Sequence, residues 1–291
     1  MKPGQGSGTA EGAAAFRASH TLYDSNPVFR DPFAIALTSP GWRRILKSRL
    51  LHWLVLRRYL RSLRPIVAHV AARSRYTEDR LEAAVRRGVG QYVIVGAGLD
   101  AFALRRPDLK SKLRVYEVDH PDTQAMKRRR LKEIAPALPE NLEFVAVNFE
   151  RESIAQGLSR ASYRKDAPAF FSWLGTTHYL TPQATFATLR AIASVTAPGS
   201  EIVLDYGLTR ELLPARALAA GKRLSRIVSH RQEPFLGRYA PDELHREVKA
   251  MGWEVVEDLS GAEQERRYFA GRADGLAPTG GTHFLHLRRS L

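Results

Sequence analysis

Two rhythms divide the chain. From residue 11 to 88, apolar residues recur at helical spacing and no period-two alternation interrupts them. NPVFRDPFA is a proline-broken turn inside this stretch, and Gly88 and Gly90 are its stops. Beyond Gly90, short β-branched runs alternate with helical ones. The pattern predicts strands over 92–95, 113–118, 142–147, 169–174 and 201–206. Helices are expected from about Asp100 to near Pro107, over 124–134, and from Thr181-Pro182 to about Val195. Thr181 can cap the last of these, and Pro182 fits a first turn whose N–H has no partner anyway. A helix over 241–251, stopped by Gly252, precedes two final strands at 253–257 and 283–287. The Gly-rich SGAEQERRYFAGRADGLAPTGG between those strands reads as a long loop or a late hairpin arm.

Strands alternating with helices imply parallel pairing through right-handed crossovers. The third and fifth strands are mostly apolar, as strands covered on both faces should be. The expected architecture is α/β: a seven-stranded, mostly parallel Rossmann-like sheet with helices on both faces. A disordered tail (1–12) and a helical cap (13–88) would precede this core (89–291).

Charge changes the picture of the cap. The 291 residues carry 45 Lys+Arg against 30 Asp+Glu, a net charge of +15. Between Asp31 and Glu78 there is no acid, yet the interval holds ten basic residues from Arg43 to Arg75, flanking the apolar run LLHWLVL. Such a basic amphipathic stretch is either a solvated helix face or a contact for a membrane surface, nucleic acid or an anionic substrate. It lacks the interleaved aromatics of a base-stacking platform, so no specific nucleic-acid partner is expected. Cysteine is absent, which excludes disulfides and thiolate metal sites. No apolar run is long enough to span a membrane, and the N-terminus has no apolar leader. A cytoplasmic address is the simplest fit. The nine histidines are scattered, His283 and His286 fall on opposite strand faces, and no metal cluster is expected.

Ligands of an open parallel sheet bind beyond the carboxyl ends of its strands. The first strand ends in Gly96-Ala-Gly98-Leu-Asp100, where glycines permit a tight turn and close backbone approach. Asp119, with Glu117 as a close alternative, ends the second strand about 20 residues on, where a carboxylate can accept ribose hydroxyls. Asn148 and Phe149 after the third strand could hold a nucleobase by hydrogen bond and stacking. The glycines also satisfy a loose GxGxxA dinucleotide fingerprint, which keeps an NAD(P)-dependent oxidoreductase in view. Asp100 argues against it, because a carboxylate beside a pyrophosphate is repelled. The same carboxylate suits a cofactor bearing an amine and a sulfonium, as S-adenosylmethionine does.

The segment VIVGAGLDAFALRRP…VYEVDHPDTQAMKRRRL resembles the leucine carboxyl methyltransferase-like family, in particular its bacterial branch of S-adenosylmethionine-dependent O-methyltransferases of secondary metabolism. FRDPFA, AARSRYTEDRL, YLTPQA and APGSEIVLDY extend the resemblance over roughly 13–290. It implies the class I methyltransferase fold. It also implies Arg73 at the cofactor carboxylate, Gly96 against the cofactor, where close approach at Gly98 is read from the turn itself, and Asp119 at or near the ribose. Two departures stand out: AFALRR replaces TRAYRL, and Leu174 occupies the place of an expected glutamate.

The implied reaction is methyl transfer to a carboxylate or hydroxyl of a small molecule. A carboxylate acceptor needs no base, and Arg17, Arg30 or Arg73 could grip it. A hydroxyl acceptor profits from a base, and His178, after the fourth strand, is the best-placed imidazole, with Tyr179 beside it. Tyr23, Trp173, Thr177 and Tyr206 are further candidates for the acceptor pocket.

Overall fold

The computed structural model describes residues 8–135, 137–220 and 236–290. Its strands are β1 (Gln91–Val95), β2 (Arg114–Asp119), β3 (Leu142–Ala146), β4 (Ala169–Trp173), β5 (Glu201–Gly207), β6 (Trp253–Leu259) and β7 (Thr282–Arg289). They form one sheet in the order β3-β2-β1-β4-β5-β7-β6. The first five pair in parallel, and β7 runs antiparallel between β5 and β6. Every residue of β1, β4 and β5 is buried, which is why these strands read as apolar runs without alternation. The expectation of two covered faces fails for β3. It is an edge strand, mostly half-buried, because no neighbour pairs with its outer side.

Helices α7 (Pro121–Lys132) and α9 (Pro182–Ala193) begin at proline, and the Thr181 hydroxyl accepts the Ala184 N–H as foreseen. Two helices arise where none was expected: α8 (Ile154–Ser159) and α11 (Gly261–Tyr268), the latter inside the supposed loop. Both open on a reciprocal capping box, Ser153 with Gln156 and Ser260 with Glu263. Each box satisfies two N–H groups that a helix start leaves without partners. Between them in sequence, α10 (Pro241–Ala250) buries Leu244 and Val248.

The cap consists of α1 (Gly8–Tyr23), α2 (Ala34–Leu37), α3 (Pro40–Lys47), α4 (Arg49–His52), a π-helix at Trp53–Tyr59, and the long α5 (Arg64–Arg86). Helix α1 starts at Gly8, so residues 8–12 are ordered helix rather than tail; residues 1–7 of that expected tail lie outside the described residues. The cap has its own core around Phe16, Leu46, Leu56 and Val70. Asp31 of FRDPFA fastens it to the sheet. Its buried carboxylate accepts Arg17 Nε at 2.8 Å and stands 3.6 Å from Arg105, while Arg17 Nη2 donates to the Leu99 carbonyl at 2.7 Å. Helix α1 thereby lies on the glycine turn, where a Cβ on Gly98 would meet Ala10 Cβ at 3.1 Å.

Candidate active site

Strands β1 and β4 are adjacent, and the chain leaves them toward opposite sides of the sheet. The crevice above their carboxyl ends is where such sheets take ligands. The Gly96 and Ala97 N–H groups donate to the Val118 carbonyl at 2.8 and 3.2 Å, folding the turn over β2. Gly96 (φ +69°) and Gly98 (φ +52°) occupy backbone conformations that strain an L side chain, and a Cβ on Gly96 would press Thr176 Cγ2 at 2.9 Å. Asp119 clasps this turn. Its Oδ2 accepts the Gly98 N–H and its Oδ1 the His120 N–H at 2.6 Å. Burial pushes its carboxyl up from the ordinary value, against those two bonds. Each oxygen keeps a second lone pair for a hydroxyl donor.

Asp100 accepts the Phe102 N–H at 2.6 Å, just ahead of the short α6 (Phe102–Arg105). Burial would raise its carboxyl, but Arg105, Arg17 and Lys127 outweigh it and hold Asp100 below the usual range. The anion expected there is therefore firmly charged. Arg105 stacks on the Phe29 ring at 4.6 Å and binds Glu78 at 2.7 Å. After β3, the Asn148 side-chain oxygen accepts the Glu150 N–H and shapes the turn, leaving the Phe149 ring 45 % exposed.

Glu117, the alternative ribose acceptor, is not open to a ligand. It is buried, and Lys127 Nζ of α7 lies 2.5 Å from its carboxylate. The two-residue strand period puts Glu117 on the same face as Asp119, one layer deeper, under α7.

Asp205, on β5, organises the opposite wall. Its Oδ1 accepts the Gly175 N–H at 2.6 Å, while Oδ2 faces His69 Nε2 at 2.9 Å, Arg73 Nη1 at 3.1 Å and His178 Nε2 at 3.5 Å. His69 and Arg73 share a face of α5 because they are four residues apart. Burial would raise the Asp205 carboxyl; Arg73 and the two histidines reverse this and hold it well below the carboxylate range. Burial, in turn, pushes His69 down despite its carboxylate partner. The ligand atoms of His69, His178 and Asp205 lie within 4.8 Å of one another, the kind of trio that can hold a metal ion. Scattered positions in sequence thus form a cluster in space. Arg73 puts a fixed positive charge on the same oxygen, which favours a hydrogen-bonded set over a cation site. Sequence reading did not single out His69; its four-residue spacing from Arg73 was the one available signal.

Other acceptor-side candidates part company with the site. Arg17 is taken up by Asp31 and Leu99, so its guanidinium is not open to an acid. Tyr23 donates to the Leu46 carbonyl at 2.6 Å and stacks on His52, inside the cap. Trp173 is buried in the sheet core. Thr177 is buried and donates to the Asp205 carbonyl, so it is a brace. Tyr206 is wholly buried and donates to Asp258 at 2.6 Å, away from the crevice. Arg30 is exposed on the cap, and Tyr179 is half-buried in the turn Thr177–Tyr179 with His178.

A model of the leucine carboxyl methyltransferase family matches residues 10–193. The chain belongs to that family. It is 32 % identical, over 74 % of its length and 70 % of the relative's, to a Bacillus subtilis protein named "Putative S-adenosyl-L-methionine-dependent methyltransferase YktD". A similarly named protein of Frankia alni is 31 % identical over 79 % of both chains. Among solved structures, a "putative methyltransferase" of Thermobifida fusca aligns over 95 % of this chain and 94 % of its own at 15 % identity, with a TM-score of 0.59. A "duf574 family protein" of Streptomyces avermitilis gives 0.60 over 95 % and 97 %, at 14 % identity. These likenesses support the class I methyltransferase fold. A leucine carboxyl methyltransferase relative of this kind is an enzyme that uses S-adenosylmethionine, and the family match decides against the dinucleotide reading of the same glycines. The residues present fit that cofactor: a turn that only glycine can line, a charged Asp100, an Asp119 with lone pairs to spare, and an exposed ring at Phe149. Among the described residues, no helix is long and apolar enough to cross a membrane.

Proposed function

We propose that this S-adenosylmethionine-dependent methyltransferase methylates a hydroxyl oxygen of a small molecule of the secondary-metabolite class, with His178 as the general base. The observation that carries this reading is the hold of Asp205 on the imidazoles at the crevice wall. When bound, the cofactor supplies a methyl group on a cationic sulfur. Asp119 would accept the ribose hydroxyls, Arg73 would hold the carboxylate, Asp100 the ammonium group, and Asn148 with Phe149 the adenine. Helix α1 rests on Gly98 through Ala10 and would shield that side of the turn. His178 takes the acceptor proton, and the Asp205 carboxylate orients the ring and stabilises the imidazolium that results.

A carboxylate acceptor would need a guanidinium rather than a base. The geometry disfavours it, since Arg17 is bound to Asp31 and the Leu99 carbonyl and Arg73 is the residue we assign to the cofactor's own carboxylate. The test is a mass-spectrometric screen of pooled phenols, alcohols, acids and amines with isotope-labelled cofactor. Labelled methyl ethers whose formation slows about 100-fold in His178→Ala are expected. Products confined to esters or methylamines, or full activity of the variant, would overturn the reading.

A further inference from the structure

Residues 44–61, within the acid-free part of the cap, take no part in the site described above, and they present an unusual surface. Leu50 is 66 % exposed, Trp53 54 %, Leu54 43 % and Tyr59 81 %. These four side chains emerge within ten residues of chain, where α4 passes into the π-helix, while His52 and Leu56 of the same turns point inward and are buried. Flanking them, with Arg58 between Leu54 and Tyr59, are five exposed cations: Arg44, Lys47, Arg49, Arg58 and Arg61. None of the five forms an ion pair with a carboxylate among the described residues. The acids that reach this region from other elements are already matched: Glu133 with Arg43, Asp24 with Arg57 and His20, Asp274 with Arg64 and Arg272.

We propose that this face of the cap, residues 44–61, docks on the surface of an anionic lipid bilayer. Large apolar tips ringed by cations meet both requirements of an interfacial contact. The apolar groups leave water among the upper acyl chains, and the cations stay level with the phosphates. Clusters of four or more Lys/Arg beside such a helix are the usual signature of anionic-lipid attraction. A second copy of the chain is a poor occupant, since a two-fold contact would set five cations against five. Against the sequence expectation, the patch does carry exposed aromatics, Trp53 and Tyr59, on which bases could stack; nucleic acid would still leave Leu50 and Leu54 in water, because leucine offers no face for base stacking. Helix α5 starts at the end of this face and carries His69 and Arg73 to the crevice, so docking would seat the cap and the site on the same body.

The experiment is co-sedimentation of the full chain with large vesicles of phosphatidylcholine, alone or with about 30 % phosphatidylglycerol. Two double variants accompany it, Trp53→Ser with Leu54→Ser and Arg49→Glu with Arg58→Glu. All four positions are solvent-facing, so thermal midpoint and S-adenosylhomocysteine binding should match wild type, and this confirms folding. Expected is sedimentation with the anionic vesicles only, weakened at least about tenfold in each double variant. No wild-type binding to the anionic vesicles would overturn the proposal. So would unchanged binding after loss of Trp53 and Leu54, which would mean charge alone. Lipid-free self-association that either double variant abolishes would assign the face to a second copy instead.

Discussion

The guanidinium of Arg73 lies directly against Gly175: a Cβ built on that glycine would stand 2.4 Å from Nη1 and 2.8 Å from Nη2. Gly175 has φ +72° and donates its N–H to Asp205, the same residue that Arg73 pairs with. Three elements, α5, β4 and β5, therefore meet at one charged contact on the crevice wall. Gly175→Ala should displace Arg73 as well as strain the backbone by about 1–2 kcal/mol. The expected result is roughly tenfold weaker S-adenosylhomocysteine binding by calorimetry, with a cooperative thermal transition retained. Unchanged affinity would remove Arg73 from the cofactor's partners.

His178 and His69 share one carboxylate but should not share one role. His178→Ala should lower turnover on a hydroxyl acceptor about 100-fold at little change in KM. His69→Ala should cost less, because it removes a brace on Asp205 and leaves the base. Asp205→Asn keeps the shape but loses the charge that steadies an imidazolium, and should also lower kcat. A larger kcat loss in His69→Ala than in His178→Ala would exchange the two assignments.

The Glu117–Lys127 pair is structural. Lys127→Met leaves a buried carboxylate without its counter-charge and should destabilise the fold by about 3–5 kcal/mol in urea unfolding. Glu117→Gln combined with Lys127→Met should recover most of that loss and bind S-adenosylhomocysteine as wild type does. Weak binding in a stable double variant would return Glu117 to the cofactor site.

Asp119 holds both the glycine turn and, by our reading, the ribose. Asp119→Ala should weaken cofactor binding by about 1–3 kcal/mol. Asp119→Asn retains one accepting oxygen and should lose less. Equal affinity of wild type and both variants, measured by titration calorimetry, would contradict the assignment.

His52 should make the cap acid-sensitive. Burial, helped by Arg57 and opposed by Asp24, lowers its pKa from 6.5 to about 4. The folded state then binds fewer protons than the unfolded state between these values. Its contribution is complete above about pH 6.5 and is lost as pH falls toward 4. The depressed carboxyls of Asp205 and Asp258 act lower, losing their contribution as pH drops below the ordinary aspartate value. Urea unfolding across pH 4–7 should show a slope that His52→Gln flattens.

Much of this molecule is local in origin. The strand–helix alternation, Thr181-Pro182 at a helix start, the glycine turn and the carboxylate of Asp119 follow from residues close in the chain, because dihedral preferences, caps and periodicity act over a few positions. The two capping boxes were equally legible as Ser-x-x-Gln and Ser-x-x-Glu, and they mark the helices that a reading weighted toward glycine content passes over. Tertiary structure alone decided which polar side chains are available. Glu117 and Asp119 look alike as strand-end acids until α7 lays Lys127 on one of them. Arg17 looks like an acid-binding arginine until Asp31 and Leu99 enclose it. His69, His178 and Asp205 meet although more than 130 residues separate the first from the last. The reason is physical: a charged group's role depends on what surrounds it within a few ångströms, and crossovers between parallel strands bring those surroundings from distant parts of the chain.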